Sequence, residues 1–119
     1  MKRILIVEDN EKNMYLISFL LKDKGYEILE AWTGEEGVEL AIKERPDLII
    51  MDIQLPDIDG LEATKRIRES KVDGEIPIVA LTSYAMTGDR EKALNAGCTD
   101  YLEKPIDPET FISEIEKHL

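Results

Sequence analysis

Short apolar runs punctuate the chain at Ile4–Val7, Ile28–Leu29, Leu48–Met51 and Ile78–Leu81, with a weaker fifth at Tyr101–Leu102. They read as strands. The segments between them carry apolar residues at helical spacing. Met14, Ile17 and Leu21 form one stripe, and Val38, Ala41 and Ile42 a second. Leu61 and Ile67 mark a third helix, Ala93 and Leu94 a short fourth, and Phe111, Ile112, Ile115 and Leu119 the last. Strand–helix alternation repeated five times predicts a parallel sheet with helices on both faces.

Turn and cap residues agree with these bounds. Thr33-Gly34-Glu35-Glu36 has capping-box spacing, as does Asp59 to Glu62. Asp107-Pro108 reads as an N-cap followed by proline at the first helical position. Gly25 and Gly97 fall where helices should close, and Pro46 stops the second helix. The first, third and fourth apolar runs are nearly continuous, as expected of strands covered on both faces. The second and fifth are interrupted by Glu27, Glu30, Asp100 and Glu103 and read as edges. The doubly wound order 2-1-3-4-5 places those two at the edges.

The chain has 119 residues, 43% of them apolar, which suits one folded domain over 1–119. Its net charge is −11, from 26 acidic and 15 basic residues. Such a surface repels a phosphate backbone, so nucleic acid and anionic membranes are set aside as partners. A divalent cation or a basic protein is favoured instead. The single Cys98 excludes an internal disulfide. The apolar run behind Met1-Lys2-Arg3 is too short for a signal peptide or a membrane span, so a cytoplasmic location is expected.

Candidate chemistry collects just past the strand ends. Glu8 and Asp9 follow the first strand, Asp52 ends the third, Thr82 ends the fourth, and Lys104-Pro105 follows the fifth. In a parallel sheet these ends share one edge, and in the order 2-1-3-4-5 Asp9 and Asp52 flank the crevice where the winding reverses. Converging carboxylates repel, so one holds a proton or a cation binds. Oxygen donors without nearby His or Cys suit Mg²⁺ rather than zinc. A cation, the Lys104 ammonium and the Thr82 hydroxyl around Asp52 are what a phosphoryl group needs. Asp52 is the natural nucleophile, and its product is an acyl phosphate.

Taken together, Ile4-Leu5-Ile6-Val7-Glu8-Asp9-Asn10, Asp47 through Pro56, Asp59-Gly60, Ala80-Leu81-Thr82-Ser83 and Lys104-Pro105 resemble the receiver domain of bacterial response regulators, the CheY-like superfamily. The resemblance runs from Lys2 to about Leu119. Glu8 through Glu11, Asp52 through Pro56, and Ala85-Met86 through Gly88-Asp89 resemble single-domain regulators of the DivK type and receivers of hybrid histidine kinases. The resemblance implies a flavodoxin-like (βα)5 doubly wound sheet, and receivers are a standing example of that order. It implies that Asp52 accepts a phosphoryl group from a histidine kinase or histidine phosphotransfer protein. Asp9 and Asp52 would bind Mg²⁺ with the backbone carbonyl of Gln54, and Glu8 would act through water. Lys104 would pair with Asp52 and then with the phosphoryl oxygens. Thr82 would turn toward the phosphoryl group, and Tyr101 would be the switch aromatic that moves into the space Thr82 leaves. The Lys104–Pro105 bond would be cis. The face of the fourth helix, fifth strand and fifth helix would then bind a downstream protein, the chain being a monomer or a phosphorylation-dependent dimer. Tyr84, bulky beside this site, would with Gln54 slow the attack of water.

Such a protein is a switch that handles its own phosphoryl group, not an enzyme acting on other substrates. An aspartate-based phosphatase of the haloacid dehalogenase type is disfavoured, because it needs a second acid where Gln54 stands. A flavin carrier is disfavoured because Glu8-Asp9 would repel a phosphate. An initiating Met and a chain that closes on its last helix favour a complete product over a receiver excised from a larger regulator or hybrid kinase. Met14 and Met51 read as core, Trp32 as partly exposed packing, and Cys98 as a small buried filler. His118 reads as a cation in the last helical turn, and Lys65, Arg66 and Arg68 as a solvated face.

Overall fold

The computed structural model describes residues 2–70, 76–83 and 88–119. Within them, strands and helices alternate as β1 Arg3–Val7, α1 Glu11–Asp23, β2 Glu27–Ala31, α2 Gly34–Glu44, β3 Leu48–Asp52, α3 Gly60–Glu69, β4 Ile78–Thr82, α4 Asp89–Ala96, β5 Asp100–Glu103 and α5 Pro108–Glu116. All the strand pairs are parallel, in the order β2-β1-β3-β4-β5 expected from the sequence. Every residue of β3 and β4 is buried, whereas β2 and β5 expose glutamates at the sheet edges. Tyr84, Ala85 and Met86 lie outside the described residues.

Alternate side chains along each strand enter opposite cores. Leu5, Val7, Ile49, Met51, Ile78 and Ala80 pack with Ala41 of α2, Ala63 and Ile67 of α3, and Ala93 of α4. Ile4, Ile6, Leu48, Ile50, Val79 and Leu81 pack with Met14, Ile17 and Leu21 of α1 and Phe111, Ile112 and Ile115 of α5. Among the described residues no helix is long and apolar enough to cross a membrane.

The helix ends follow their residue types. Asn10, Thr33, Asp59 and Asp107 each accept a backbone N–H from the first turn of their helix. The box at Thr33 is not reciprocal: the Glu36 carboxylate takes the Trp32 N–H at 2.7 Å instead. Gly97 closes α4 with a φ of 114°, and Gly25, just past α1, has a φ of 93°.

Helix α2 differs from expectation. Ile42 is 39% exposed, and the buried face is Gly34, Gly37 and Ala41. The reason is proximity, since a Cβ on Gly37 would stand 2.7 Å from Val7 Cγ2. A helix this close to the sheet needs small residues on its inner face. Leu94 of α4 is likewise exposed, while Ala93 is buried.

Helix α3 starts equally close to β3. A Cβ on Gly60 would collide with the Asp52 carbonyl oxygen and stand 2.8 Å from Ile53 Cα. Backbone atoms cannot yield as a flexible side chain would. Gly60→Ala is therefore expected to destabilise the fold by about 1–3 kcal/mol, the usual penalty of overpacking. A urea melt reads this, and an unchanged midpoint would show that the strand end yields freely.

Candidate functional site

The strand ends bring Glu8, Asp9, Asp52, Thr82 and Lys104 to one edge of the sheet. Glu8 follows β1, and its N–H still donates to Ala31 of β2 at 3.0 Å. The ladder thereby holds its side chain inward, 1% exposed, while Asp9 is exposed. Asp52, the last residue of β3, is 2% exposed. Lys104 follows β5 and donates its N–H to Thr82 at 2.8 Å, and the Lys104–Pro105 bond is cis. The opening is a cleft of about 330 Å³ lined by Glu8, Asp9, Asn10, Asn13, Asp52, Gln54, Ser83 and Lys104.

One carboxylate oxygen from each of Glu8, Asp9 and Asp52 lies within 4.8 Å of the other two. These all-oxygen donors fit a hard divalent cation. Lys104 Nζ lies 2.8 Å from Glu8 Oε1 and 3.4 Å from Asp52 Oδ1. The expected Lys104–Asp52 pair is present, and Glu8 is the nearer partner. The Glu8 contact is an ion pair without hydrogen-bond alignment, so Oε1 is buried with no hydrogen bond.

The Asp52 carboxyl is pushed up to about 7 by burial and by the Glu8 carboxylate beside it; Lys104 and the Gln54 N–H offset part of this. Asp52 therefore gains and loses its proton close to neutral pH rather than in the usual carboxylate range.

Gln54 contributes more than its carbonyl. Its N–H donates to Asp52 Oδ1 at 3.2 Å, and its Nε2 donates to the Thr82 hydroxyl at 3.1 Å. Its Oε1 accepts the Ser83 N–H at 3.3 Å. The side chain thus spans the cleft from β3 to β4, a role the sequence reading missed. A side chain that can both donate and accept, two residues past the acidic strand end, was the available signal. Tyr101 lies inward, and its hydroxyl is buried near Thr82 without a well-aligned hydrogen bond. Burial pushes that phenol's pKa up, with Asp89 and Glu103 adding to it.

Residues 4–116 match the response regulator receiver domain family. The chain belongs to the response regulator receivers. The receiver is 45% identical to the polar-differentiation response regulator DivK of Brucella anthropi, over 99% of this chain and 96% of the relative. It superposes on the Vibrio cholerae chemotaxis protein CheY4 with a TM-score of 0.94 and 32% identity, covering 100% of this chain and 99% of that one. It also matches the receiver domain of a Pseudomonas aeruginosa PAO1 sensor histidine kinase, with a TM-score of 0.89 and 39% identity, over 98% of this chain and 95% of that one. That crystal structure holds a magnesium ion coordinated in its active-site cleft.

Other residues of the receiver have structural duties. Met14 and Met51 are core, and Trp32 is 38% exposed. Cys98 is buried, and burial pushes its thiol up. His118 lies beyond the end of α5 rather than in its last turn, with Nε2 3.0 Å from Asp100 Oδ2. Arg68 is not merely solvated, since its Nε donates to the Gly97 carbonyl at 3.0 Å.

Proposed function

We propose that this receiver is a phosphoacceptor switch of a two-component or phosphorelay system, acting as one domain over 1–119 in the cytoplasm. The observation that carries the proposal is Asp52, buried at the tip of the central strand β3 between a carboxylate cluster and the Lys104 ammonium. The donor is a histidine kinase or a histidine phosphotransfer protein.

An Asp52 carboxylate oxygen attacks the phosphorus of the donor's phosphohistidine. The new O–P bond forms as the P–N bond breaks, leaving an acyl phosphate on Asp52 and a neutral imidazole once the donor's proton is retained. Asp9, Asp52 and the Gln54 carbonyl, with Glu8 through water, would hold Mg²⁺, which would supply positive charge for the phosphoryl oxygens and keep Asp52 ionised. Lys104 neutralises a second side of the group. Thr82 offers its hydroxyl, and the Ser83 N–H becomes available once Gln54 Oε1 releases it. The reaction is limited to this chain's own phosphotransfer and later loss of phosphate, so the protein is a switch rather than an enzyme with an outside substrate.

Output leaves through the α4–β5–α5 face, by protein contact rather than nucleic acid or membrane. Movement of Thr82 toward the phosphoryl group opens space beside the buried Tyr101 of β5. The helices on either side fasten to one carboxylate: Asp100 lies 3.6 Å from Arg90 of α4 and 3.0 Å from His118 after α5. A shift of β5 is therefore felt by both helices, changing affinity for a partner protein or a second copy by population shift.

The direct test is transfer from a radiolabelled histidine phosphotransfer protein. Label should move to this chain only with Mg²⁺ and should be released by hydroxylamine, as an acyl phosphate is. Label that resists hydroxylamine, or that appears in EDTA, would contradict the proposal.

A further inference from the structure

The β3–α3 loop, residues 53–59, carries the Gln54 carbonyl. Its base is closed by the Gly60 N–H donating to the Ile53 carbonyl at 2.9 Å. Its far side is held by a contact that no local pattern announces. Asp57 reaches across to the start of α2, where Oδ1 accepts the Gly34 N–H at 2.8 Å and Oδ2 the Glu35 N–H at 2.9 Å. Amides at a helix N-terminus have no partner within the helix, and their dipoles favour a negative charge. The Asp57 carboxyl is accordingly held down at about 2, the Glu35 N–H being the main cause.

Ile58 seals the same joint. A Cβ on Gly34 would stand 2.5 Å from Ile58 Cγ1 and 3.0 Å from its carbonyl oxygen. Helix α2 already has its own cap, Thr33, whose hydroxyl accepts the Glu36 N–H at 3.1 Å. The helix does not depend on Asp57 for its start; the loop depends on it for its seat.

We infer that Asp57 is a positioning residue for the metal: by seating the β3–α3 loop on the N-terminus of α2, it fixes the backbone at Gln54 and so aims that carbonyl at the cation. This rests on the metal set of the proposed function. Groups that hold a metal ligand in place commonly matter by about 10–100-fold in affinity. Asp57 acts through the backbone, three residues from Gln54, so the lower end of that range applies.

Linkage adds a second consequence that needs no mutation. If the clamp strengthens Mg²⁺ binding, then Mg²⁺ strengthens the clamp by the same factor. The Gly34 and Glu35 amides should therefore exchange their hydrogens about tenfold more slowly at saturating Mg²⁺. Amides of Ile112 and Ile115 in α5 serve as a control for general stabilisation.

The experiment combines Mg²⁺ calorimetry on wild type, Asp57→Ala and Asp57→Asn with amide exchange on the wild type, with and without Mg²⁺. Asp57→Ala should weaken Mg²⁺ binding about tenfold. Asp57→Asn keeps one acceptor oxygen for one of the two N–H groups and should lose less. A lower melting temperature with unchanged Mg²⁺ affinity would reduce Asp57 to a structural role and overturn the inference. Unchanged exchange at Gly34 and Glu35 would overturn it equally. If Asp57→Ala does not fold, Asp57→Asn and the wild-type exchange decide the matter. A wild type that binds no Mg²⁺ would overturn the metal set itself, and this inference with it; a wild type that binds while the variants match it overturns the inference alone.

Discussion

Replacing Lys104 by methionine is expected to destabilise the metal-free receiver by about 3 kcal/mol at neutral pH, near the lower end of what breaking a buried ion pair costs. The side chain is 11% exposed and stands between Glu8 and Asp52, which are 1% and 2% exposed as side chains. Methionine fills much of the same volume but leaves two buried carboxyls with no positive neighbour. Asp52 can relieve part of the conflict by holding a proton, which keeps the loss from being larger. The loss should shrink in mild acid, as Asp52 protonates, and Mg²⁺ should recover part of it by standing in for the ammonium. Urea unfolding in EDTA and in Mg²⁺ reads both effects. Equal stability of variant and wild type in EDTA at neutral pH would mean that Lys104 does not compensate the cluster.

Asp52→Asn should move stability the other way. Burial, then the Glu8 carboxylate, raises the folded pKa of Asp52 from 3.8 to about 7. A raised carboxyl binds its proton more tightly folded than unfolded. Its stabilising contribution is complete below 3.8 and is lost as the pH climbs from there through about 7. Above that range the wild type carries a buried charge, whereas asparagine carries none and can donate its amide hydrogens to Glu8. In EDTA above neutral pH the variant should be more stable by on the order of 2–4 kcal/mol. The difference should close toward acid pH. Mg²⁺ should stabilise the wild type more than the variant, because the cation favours the ionised carboxylate that only the wild type has. Melts across this pH range test the sign directly, and a variant less stable than wild type in EDTA at neutral pH would contradict it.

The legible parts of this fold were those whose cause is local. Strands buried on both faces must be apolar throughout, so Leu48–Met51 and Ile78–Leu81 announce the centre of the sheet, while Glu27, Glu30 and Glu103 announce its edges. Caps at Thr33, Asp59 and Asp107 satisfy amides within their own first turn and fix where helices begin. Parallel topology then carries Glu8, Asp9, Asp52, Thr82 and Lys104 to one edge of the sheet without any need to see side chains.

What escaped the sequence was decided by distance across the fold. The face of α2 is set by how closely the helix approaches Val7, so a search for large apolar residues chose Ile42 over Gly37. Lys104 has two carboxylates within reach, and only geometry settles that Glu8 is nearer. Gln54 bonds residues of β4, and Asp57 bonds amides more than twenty positions before it. No spacing rule connects such pairs. The sequence indicates which groups meet at the sheet edge, and the structure adds how they hold one another.

The most direct test of the central claim is the intact mass of the protein after incubation with acetyl phosphate and Mg²⁺, beside an EDTA control and Asp52→Asn. The account predicts a gain of one phosphoryl group in the wild type with Mg²⁺ and none in either control. A gain that persists in Asp52→Asn, or no gain even when a phosphorylated histidine phosphotransfer protein replaces acetyl phosphate, would contradict it.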